Sequence, residues 1–497
     1  MATVDKPFPP GTYPVVVVGS GPGALQTSYT LRSLGVEHAV ISSDDRPAGM
    51  FQRFPIFQRL ISWSKPYSPV ERHSRAYERY DWNSLLADEP DSCGLVTDQM
   101  DGTSYFPARQ EMEAGIAAFA EKTKLTIRYG CTWESTRKDG DDFVLTTSDG
   151  EYRCRIPIFA IGMAMSWVPN IPGIDEVPHY VDVKTPRDYA GKRVAIIGKR
   201  NSGFELADGL LPWARQIVLL SPRPTGVSVL THFVASVRAR YLQPYEDHVL
   251  GGGNFIVDAA IERIERTSDG WRVHAQGTTK PGPMTVEADE VIAATGFQVP
   301  MQDLRDLGVA TFMQDRFPAL TPMWESASVP GIHFAGTTTQ GAVGLRKYGI
   351  GSSSAAVHGF RYNARIMARH IAEKHFGVTI DRPSIAPEDI VEKLLDEATL
   401  APELWTQKSY LCRVFESRDG GFVDGDVLPL QAFVDGSGPD GTAITIETDA
   451  EGDIHPALYV RAKGSVEEHL LDSTSMHDYR DPEHRAQVKA ALGPLGL

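Results

Sequence analysis

Residues Val15-Val16-Val17-Val18-Gly19-Ser20-Gly21-Pro22-Gly23-Ala24 run from a block of β-branched residues straight into a glycine-rich turn, and a helical stretch follows. The same order returns at Val194-Ala195-Ile196-Ile197-Gly198-Lys199-Arg200-Asn201-Ser202-Gly203. One such turn is a weak signal. Two, separated by about the length of a nucleotide-binding domain, point to one chain that holds two dinucleotides, most simply a flavin and a nicotinamide.

Working outward from the first turn, residues 25–34 read as a helix closed by Gly35, and a second strand at 39–41 ends in Ser42-Ser43-Asp44-Asp45. This is a βαβ unit. Gly19, Gly21 and Gly23 permit the tight turn and the approach of backbone N–H groups to a pyrophosphate, while Ala24 holds the place of the third glycine. Residues 51–110 are irregular and aromatic-rich, 110–122 read as a helix, and strand-like pieces follow at 125–129, 143–147 and 152–160. Val168-Pro169-Asn170-Ile171-Pro172-Gly173 then reads as a linker.

The second βαβ unit begins at Lys192, with a helix through Phe204-Glu205-Leu206-Ala207 and a strand at 217–220 that runs into Ser221-Pro222-Arg223. An NAD site usually carries an acid there for the ribose hydroxyls; a serine followed by an arginine suits a 2′-phosphate and favours NADPH. Lys199 and Arg200 tilt the balance the same way, and the bland alternative is that Arg223 is a solvated surface charge. His232 and Arg238, in the loop beyond, are candidates for the nicotinamide half, against the alternative of structural residues. A further crossing, Val291-Ile292-Ala293-Ala294-Thr295-Gly296-Phe297, leads back, and Ile332-His333-Phe334-Ala335-Gly336 precedes a Gly/Ser-rich loop. A long helix from about Ser354 to Lys374 would present unpaired N–H groups to the negative end of a reduced flavin, so Thr295, Gly296, Gly336 and Ser354 join the cofactor-binding candidates. His358 and Arg361 fall on its first turns, near the ring or merely packed. Beyond Asp381 the texture changes to a short acidic helix at 387–397 and strands such as 442–448 and 457–462, read as a separate small module without chemistry of its own.

Bulk properties limit the rest. A chain of 497 residues has room for two or three domains, and the formal charge of −15, with no basic block to offset it, argues against nucleic acid. No apolar run reaches the roughly 18 residues of a membrane span. The opening Met1-Ala2-Thr3-Val4-Asp5-Lys6-Pro7 lacks a signal-peptide pattern, so a cytoplasmic protein is expected. Cys93, Cys131, Cys154 and Cys412 include no Cys-x-x-Cys pair, which removes the dithiol that passes flavin electrons to disulfides, and no His/Cys cluster has metal-ligand spacing.

Two glycine turns joined by Ala-Ile-Gly at 160–162 and Ala-Thr-Gly-Phe at 294–297 resemble the class B flavin monooxygenase group. Phe54-Pro55, Leu60-Ile61-Ser62, Tyr80-Asp81-Trp82-Asn83-Ser84-Leu85-Leu86, Thr231-His232-Phe233 and His358-Gly359-Phe360-Arg361-Tyr362 resemble its branch of FAD-dependent oxidoreductase-domain flavoproteins linked to endoplasmic-reticulum-associated degradation. The likeness spans roughly residues 14–415. It implies FAD, a nicotinamide cofactor and often a dimer. Three departures stand out. Ser42 stands where the group usually has Glu for the adenosine ribose, so Asp44 or Asp45 serves instead; Asp44 lies 25 residues after Gly19, against an expected distance of about 20. Arg200 replaces the middle glycine of the second turn and supplies a phosphate-pairing guanidinium. Finally, the group often has an Asn beside the flavin where this chain reads Ser62-Trp63-Ser64-Lys65, so Ser62, Ser64 or Asn83 takes that place. Asp81 and Asn83 either line the flavin or cap the following turn. Arg53 and Lys65 complete the cofactor-binding candidates.

The expected architecture is therefore α/β, with two Rossmann-like dinucleotide-binding domains and a small α+β C-terminal module. FAD belongs to 1–175 and 290–380, NADPH to an inserted domain at 176–289, and 381–497 is the module. The expected reaction is NADPH-driven monooxygenation of a small-molecule substrate with O2, through the flavin C4a-hydroperoxide that the resemblance implies. The cofactor carries the hard chemistry, so few catalytic side chains are needed. An NADPH-dependent flavin oxidase or reductase without oxygen insertion is the first rival. A flavin-stabilised binding or chaperone-like protein, using the C-terminal module as contact surface, is the second.

Overall fold

A computed structural model describes residues 6–57, 59–231, 236–418 and 420–496. The chain divides into two compact units, one of Met1–Arg53, Ser62–Gly162 and Val299–Leu497, the other of Phe54–Ile61 and Met163–Gln298.

In the first unit, the strand Gly11–Val18 lies between parallel strands His38–Ile41 and Gly150–Phe159, with Val16 opposite Ala39 and Val17 opposite Ile158. Val15–Val18 are buried, as a central parallel strand covered on both faces requires, and an uninterrupted β-branched run satisfies that demand. Gly150–Phe159 continues the sheet antiparallel into Asp142–Thr147 and Trp133–Asp139, and its far end pairs in parallel with His333–Phe334. The stretch expected as a strand at 125–129 makes only a single bridge, Arg128 with Ile41. The helix Pro22–Ser33 starts three residues earlier than the pattern indicated, because Pro22 is preset for the first helical position. It packs along the helix Val357–Phe376.

The second unit carries a sheet in the order Gly282–Ala288, Gly270–Gly277, Asn254–Thr267, Gln216–Ser221, Arg193–Ile197, Glu290–Ala293. The last four are mutually parallel and hold the second glycine turn; the first two form an antiparallel extension. Residues 54–61 belong here because Phe54, Ile56 and Phe57 pack against the core of this unit. Phe57 N donates to Glu205 Oε1 (3.0 Å), and Tyr180 Oη donates to Glu205 Oε2 (2.6 Å).

The C-terminal residues form a six-stranded antiparallel sheet, Ser384–Ile385, Gly421–Pro429, Leu411–Arg418, Gly441–Thr448, Ile454–Ala462, Ser465–Leu470. Every residue of Gly441–Thr448 is buried; this strand contacts helix Ile390–Leu400 as well as helix Leu430–Asp435. The sheet lies within the first compact unit rather than apart from it. Arg75 pairs with Glu397 (2.8 Å) and Glu403 (2.9 Å). Tyr410 Oη accepts from Trp324 Nε1 (3.0 Å) and donates to Ala342 O (3.0 Å), with Trp324 wholly buried. Among the described residues no helix is long and apolar enough to cross a membrane.

Replacing Tyr410 by Phe strands the Trp324 indole N–H and the Ala342 carbonyl in the interior. We expect a loss of about 1–3 kcal/mol in urea unfolding of the full chain followed by tryptophan fluorescence, with flavin-free protein as the reference; an unchanged unfolding midpoint would show that the sheet is not braced there.

Candidate active site

Each glycine of the first turn has a separate physical role. Gly19 has φ +127°, and a Cβ there would lie 2.5 Å from Ala160 O. A Cβ on Gly23 would overlap the Gly336 backbone. Gly21 is different: its φ of −77° suits any residue, and the nearest atom to an added Cβ, Gly49 Cα, is 3.8 Å away. Neither conformation nor protein packing demands glycine at 21. A ligand that must approach the backbone at the N-terminus of Pro22–Ser33 does, which is the fit expected of the FAD pyrophosphate. Ala24 is fully buried under this turn.

The two aspartates after the second strand are told apart by their partners. Ser20 Oγ donates to Asp44 Oδ2 (2.7 Å), tying that carboxylate to the glycine turn, and Ser42 Oγ sits 3.3 Å from the same oxygen while accepting from Asp44 N (3.2 Å). Asp45 instead pairs with Arg46 at the surface, its side chain 78% exposed. Of the two, Asp44 is the carboxylate held beside the glycine turn, by Ser20 and by Ser42.

Ser62, Ser64, Asp81 and Asn83 converge. Ser62 Oγ donates to Asn83 Oδ1 (2.5 Å), Ser64 Oγ to Asp81 Oδ1 (2.5 Å), and Asn83 Nδ2 to Ser64 Oγ (3.0 Å). Asp81 Oδ1 also accepts the backbone N–H groups of Asn83 (3.1 Å) and Ser84 (3.2 Å), so Asp81 caps this turn as well. Behind it, the buried Arg361 donates to the carbonyls of Asp81, Ser84 and Glu78. Arg361 thus positions the whole 78–84 loop. Trp63, Trp82 and His358 stack beside the cluster, at centroid distances of 5.0 and 4.2 Å. The sequence signalled this wall only as two tryptophans in an aromatic-rich stretch. Arg53 and Lys65 are exposed.

Burial and the nearby Glu403 raise a further carboxyl, Glu78. Burial pushes it up to about 7, against the opposing pull of Arg361, and Tyr362 Oη donates to its Oε2 (2.7 Å).

Ser354 departs from its expected role. The helix starts at Val357, after Ala356, and not at 354, because Ser354 Oγ is drawn into a buried cluster with Asn363 Nδ2 (2.8 Å) and Gln407 Nε2 (3.2 Å). Gly336 faces Gly23 through its backbone.

The second turn follows the logic of the first at two of its three positions. A Cβ on Gly198 would overlap Ala294 O, and one on Gly203 would overlap Gly198 O. Arg200, at the middle position, has φ −116° and is exposed at the helix N-cap, so it faces no steric penalty. Lys199 corrects the sequence expectation. Its side chain is 1% exposed and pairs with Asp258, which also accepts from Thr279 Oγ1 (2.6 Å), so its charge is spent inside the unit. Asn201 Nδ2 donates to Ser236 O (3.1 Å) and its Oδ1 accepts from Arg238 N (3.0 Å), holding the following loop. Ser202 is half-buried on the first turn of Asn201–Leu210, and Arg223 is exposed at the end of Gln216–Ser221. Thr295 Oγ1 donates to Trp167 O (2.6 Å), and Gly296 O accepts from Trp167 N (2.9 Å) and His179 Nε2 (3.1 Å), so both serve the unit's own backbone. His232 lies outside the described residues.

All four cysteines are free thiols, three of them buried, and burial raises the pKa of each. Among the described residues no three His, Cys, Asp or Glu side chains gather as a metal site.

Two sheets, each with a parallel part whose glycine turn opens a helix, define a two-dinucleotide flavoprotein. The family described as pyridine nucleotide-disulphide oxidoreductase matches residues 16–336, and the chain belongs to it. FAD and a nicotinamide dinucleotide are its cofactors. It is similar to the mouse (Mus musculus) FAD-dependent oxidoreductase domain-containing protein 2, 28% identical over 399 residues, covering 73% of this chain and 58% of the relative. The chain thus spans less than two thirds of that relative's length. A Ferredoxin--NADP reductase of Thermus thermophilus is 29% identical over 239 residues, covering 45% of this chain and 66% of the relative. The solved flavin-containing monooxygenase of Stenotrophomonas maltophilia shares the fold at 20% identity and a TM-score of 0.56, covering 73% of this chain and 99% of that one.

Gly21→Ala and Gly23→Ala separate ligand from packing. Gly21→Ala should leave the unfolding midpoint of flavin-free protein unchanged while weakening FAD binding in a fluorescence titration. Gly23→Ala should destabilise the flavin-free protein itself by about 1–3 kcal/mol. Equal effects of the two on flavin-free stability would contradict the assignment.

Proposed function

We propose that this chain is an NADPH-dependent flavin monooxygenase that transfers one oxygen atom from O2 to a small-molecule substrate. Bound flavin supplies the redox chemistry, accepting hydride from the nicotinamide and reacting with oxygen. The cysteine inventory carries the reading. A disulfide-reducing flavoprotein needs an accessible thiolate with a lowered pKa and a second thiol to resolve it. Here Cys131, Cys154 and Cys412 are buried, and every thiol is held protonated by its surroundings. Electrons therefore leave for an acceptor outside the protein's own sulfur chemistry.

The Ser62–Asn83 cluster supports oxygen transfer over simple oxidation. Its hydroxyls and amide are fixed by one another, and the Trp63, Trp82 and His358 stack supplies an apolar wall that excludes water from one side. The resemblance implies that this segment lies beside the flavin. Seryl groups in place of the usual Asn favour the second reading, a flavin reductase without oxygen insertion, as does the name of the Thermus thermophilus relative. Turnover with a panel of amine, sulfide and ketone substrates decides between them. A substrate that lowers the peroxide released per NADPH well below one, with oxygenated product formed, supports monooxygenation. One peroxide per NADPH with every substrate overturns it.

For the nicotinamide, Ser221, Arg223 and the exposed Arg200 favour the phosphorylated cofactor, and Lys199 neutralises Asp258, which stands opposite Ser221 on the neighbouring strand. Arg223→Ala should raise the KM for NADPH about tenfold with kcat retained, and leave the KM for NADH unchanged. An equal change for both cofactors in steady-state flavin-reductase assays would remove Arg223 from 2′-phosphate recognition.

A further inference from the structure

Two cationic side chains and a histidine surround the Trp405 indole. The Arg79 guanidinium carbon lies 4.1 Å from the ring centroid, Lys408 Nζ 5.6 Å, and the His477 ring 5.3 Å. Among the described residues none of them has a carboxylate partner. The aspartate next in sequence, Asp478, is taken by Arg480 through two hydrogen bonds of 2.8 and 2.7 Å. What the three do have is meagre: Arg79 Nη1 donates to Thr399 O (2.7 Å), Lys408 Nζ donates to Trp405 O (3.0 Å), and His477 Nδ1 is buried with no partner.

Such a grouping is costly. Buried charges are ordinarily paired, and like charges a few ångströms apart in a half-buried setting repel. Burial and the neighbouring Arg79 hold the Lys408 ammonium down to about 8, and His477 is lowered by burial, Arg79 and Lys408. In a chain of net charge −15, acidic side chains were abundant, yet none was placed here. Arg79 Nη2, two hydrogens on Lys408 and the His477 ring remain to donate, and all three side chains keep some exposure.

We propose that Arg79, Lys408 and His477, gathered on Trp405, bind a phosphate group. A phosphate monoester or inorganic phosphate brings roughly −1.5 to −2 charge and three strong acceptor oxygens, which answers three donors better than the two oxygens of a carboxylate. Bound there, it joins the Arg79 turn to the loop at 474–479 and offsets the burial and the Arg79 repulsion that together depress Lys408.

The test uses the full chain loaded with FAD and the reactivity of Lys408 toward an amine-acetylating reagent at pH 8, read by peptide mass spectrometry. Inorganic phosphate, glycerol 3-phosphate and acetate are compared with chloride at constant ionic strength. An occupied site pairs the ammonium and should slow Lys408 labelling about tenfold, while exposed lysines such as Lys122 are unaffected. Arg79→Gln should remove the protection, and Arg79→Lys should keep part of it; if Arg79→Gln does not fold, His477→Gln asks the same question. Protection by glycerol 3-phosphate alone assigns the site to an ester, and protection by both admits free phosphate. Labelling in both phosphates equal to that in chloride overturns the proposal, as does protection that acetate matches or that survives Arg79→Gln.

Discussion

The first unit depends on a backbone contact between two glycines. Gly23, one residue into the first helix, and Gly336, at the end of a strand more than 300 residues later in sequence, approach so closely that a Cβ on Gly23 would overlap the Gly336 backbone, while Gly336 itself sits at φ +74°. That approach closes the parallel sheet with His333–Phe334 and sets the path into the helix Val357–Phe376, which packs on Pro22–Ser33. Along the sequence, both segments of the second unit fall between these two glycines. The same device recurs in smaller form in the second unit, where Gly198 and Gly203 let the turn close on Ala294 and on itself.

Local pattern announces those turns because both demands on them are local. Val15–Val18 must be β-branched and apolar to fill a strand covered on both faces, and glycine must follow where φ is positive. Long-range partnerships leave no such trace. Nothing near Lys199 in sequence indicates that Asp258 will neutralise it, nor that Ser20 will select Asp44 over Asp45. Residues 54–61 read as part of the first domain until Phe57 is seen against Gly209. The Gly270–Gly277 strand is a different kind of miss: its Trp271, Val273 and Ala275 alternate with polar residues at period two, and that signal was present. The helix start at 357 was lost because three serines in a row look like a cap, while Ser354 is spent on Asn363 and Gln407.

Chemistry in this protein is concentrated in what it binds, and the side chains act by placement. Arg361 illustrates the economy: one buried guanidinium holds three carbonyls of the 78–84 loop, and with them the Asp81 and Asn83 side chains that join Ser62 and Ser64. A family whose description names disulphide chemistry is here represented by a chain with no Cys-x-x-Cys pair. The fold supplies two dinucleotide sites and leaves the electron acceptor to be set by the walls around the flavin.

Rapid mixing tests the central claim most directly. The FAD-loaded protein is reduced with one equivalent of NADPH without air, then mixed with oxygenated buffer while absorbance is followed. The account predicts reduction by NADPH, then an absorbing species distinct from oxidised flavin that persists before the oxidised spectrum returns. Return of oxidised flavin in a single phase, with an equivalent of peroxide released even when turnover substrates are present, would contradict it.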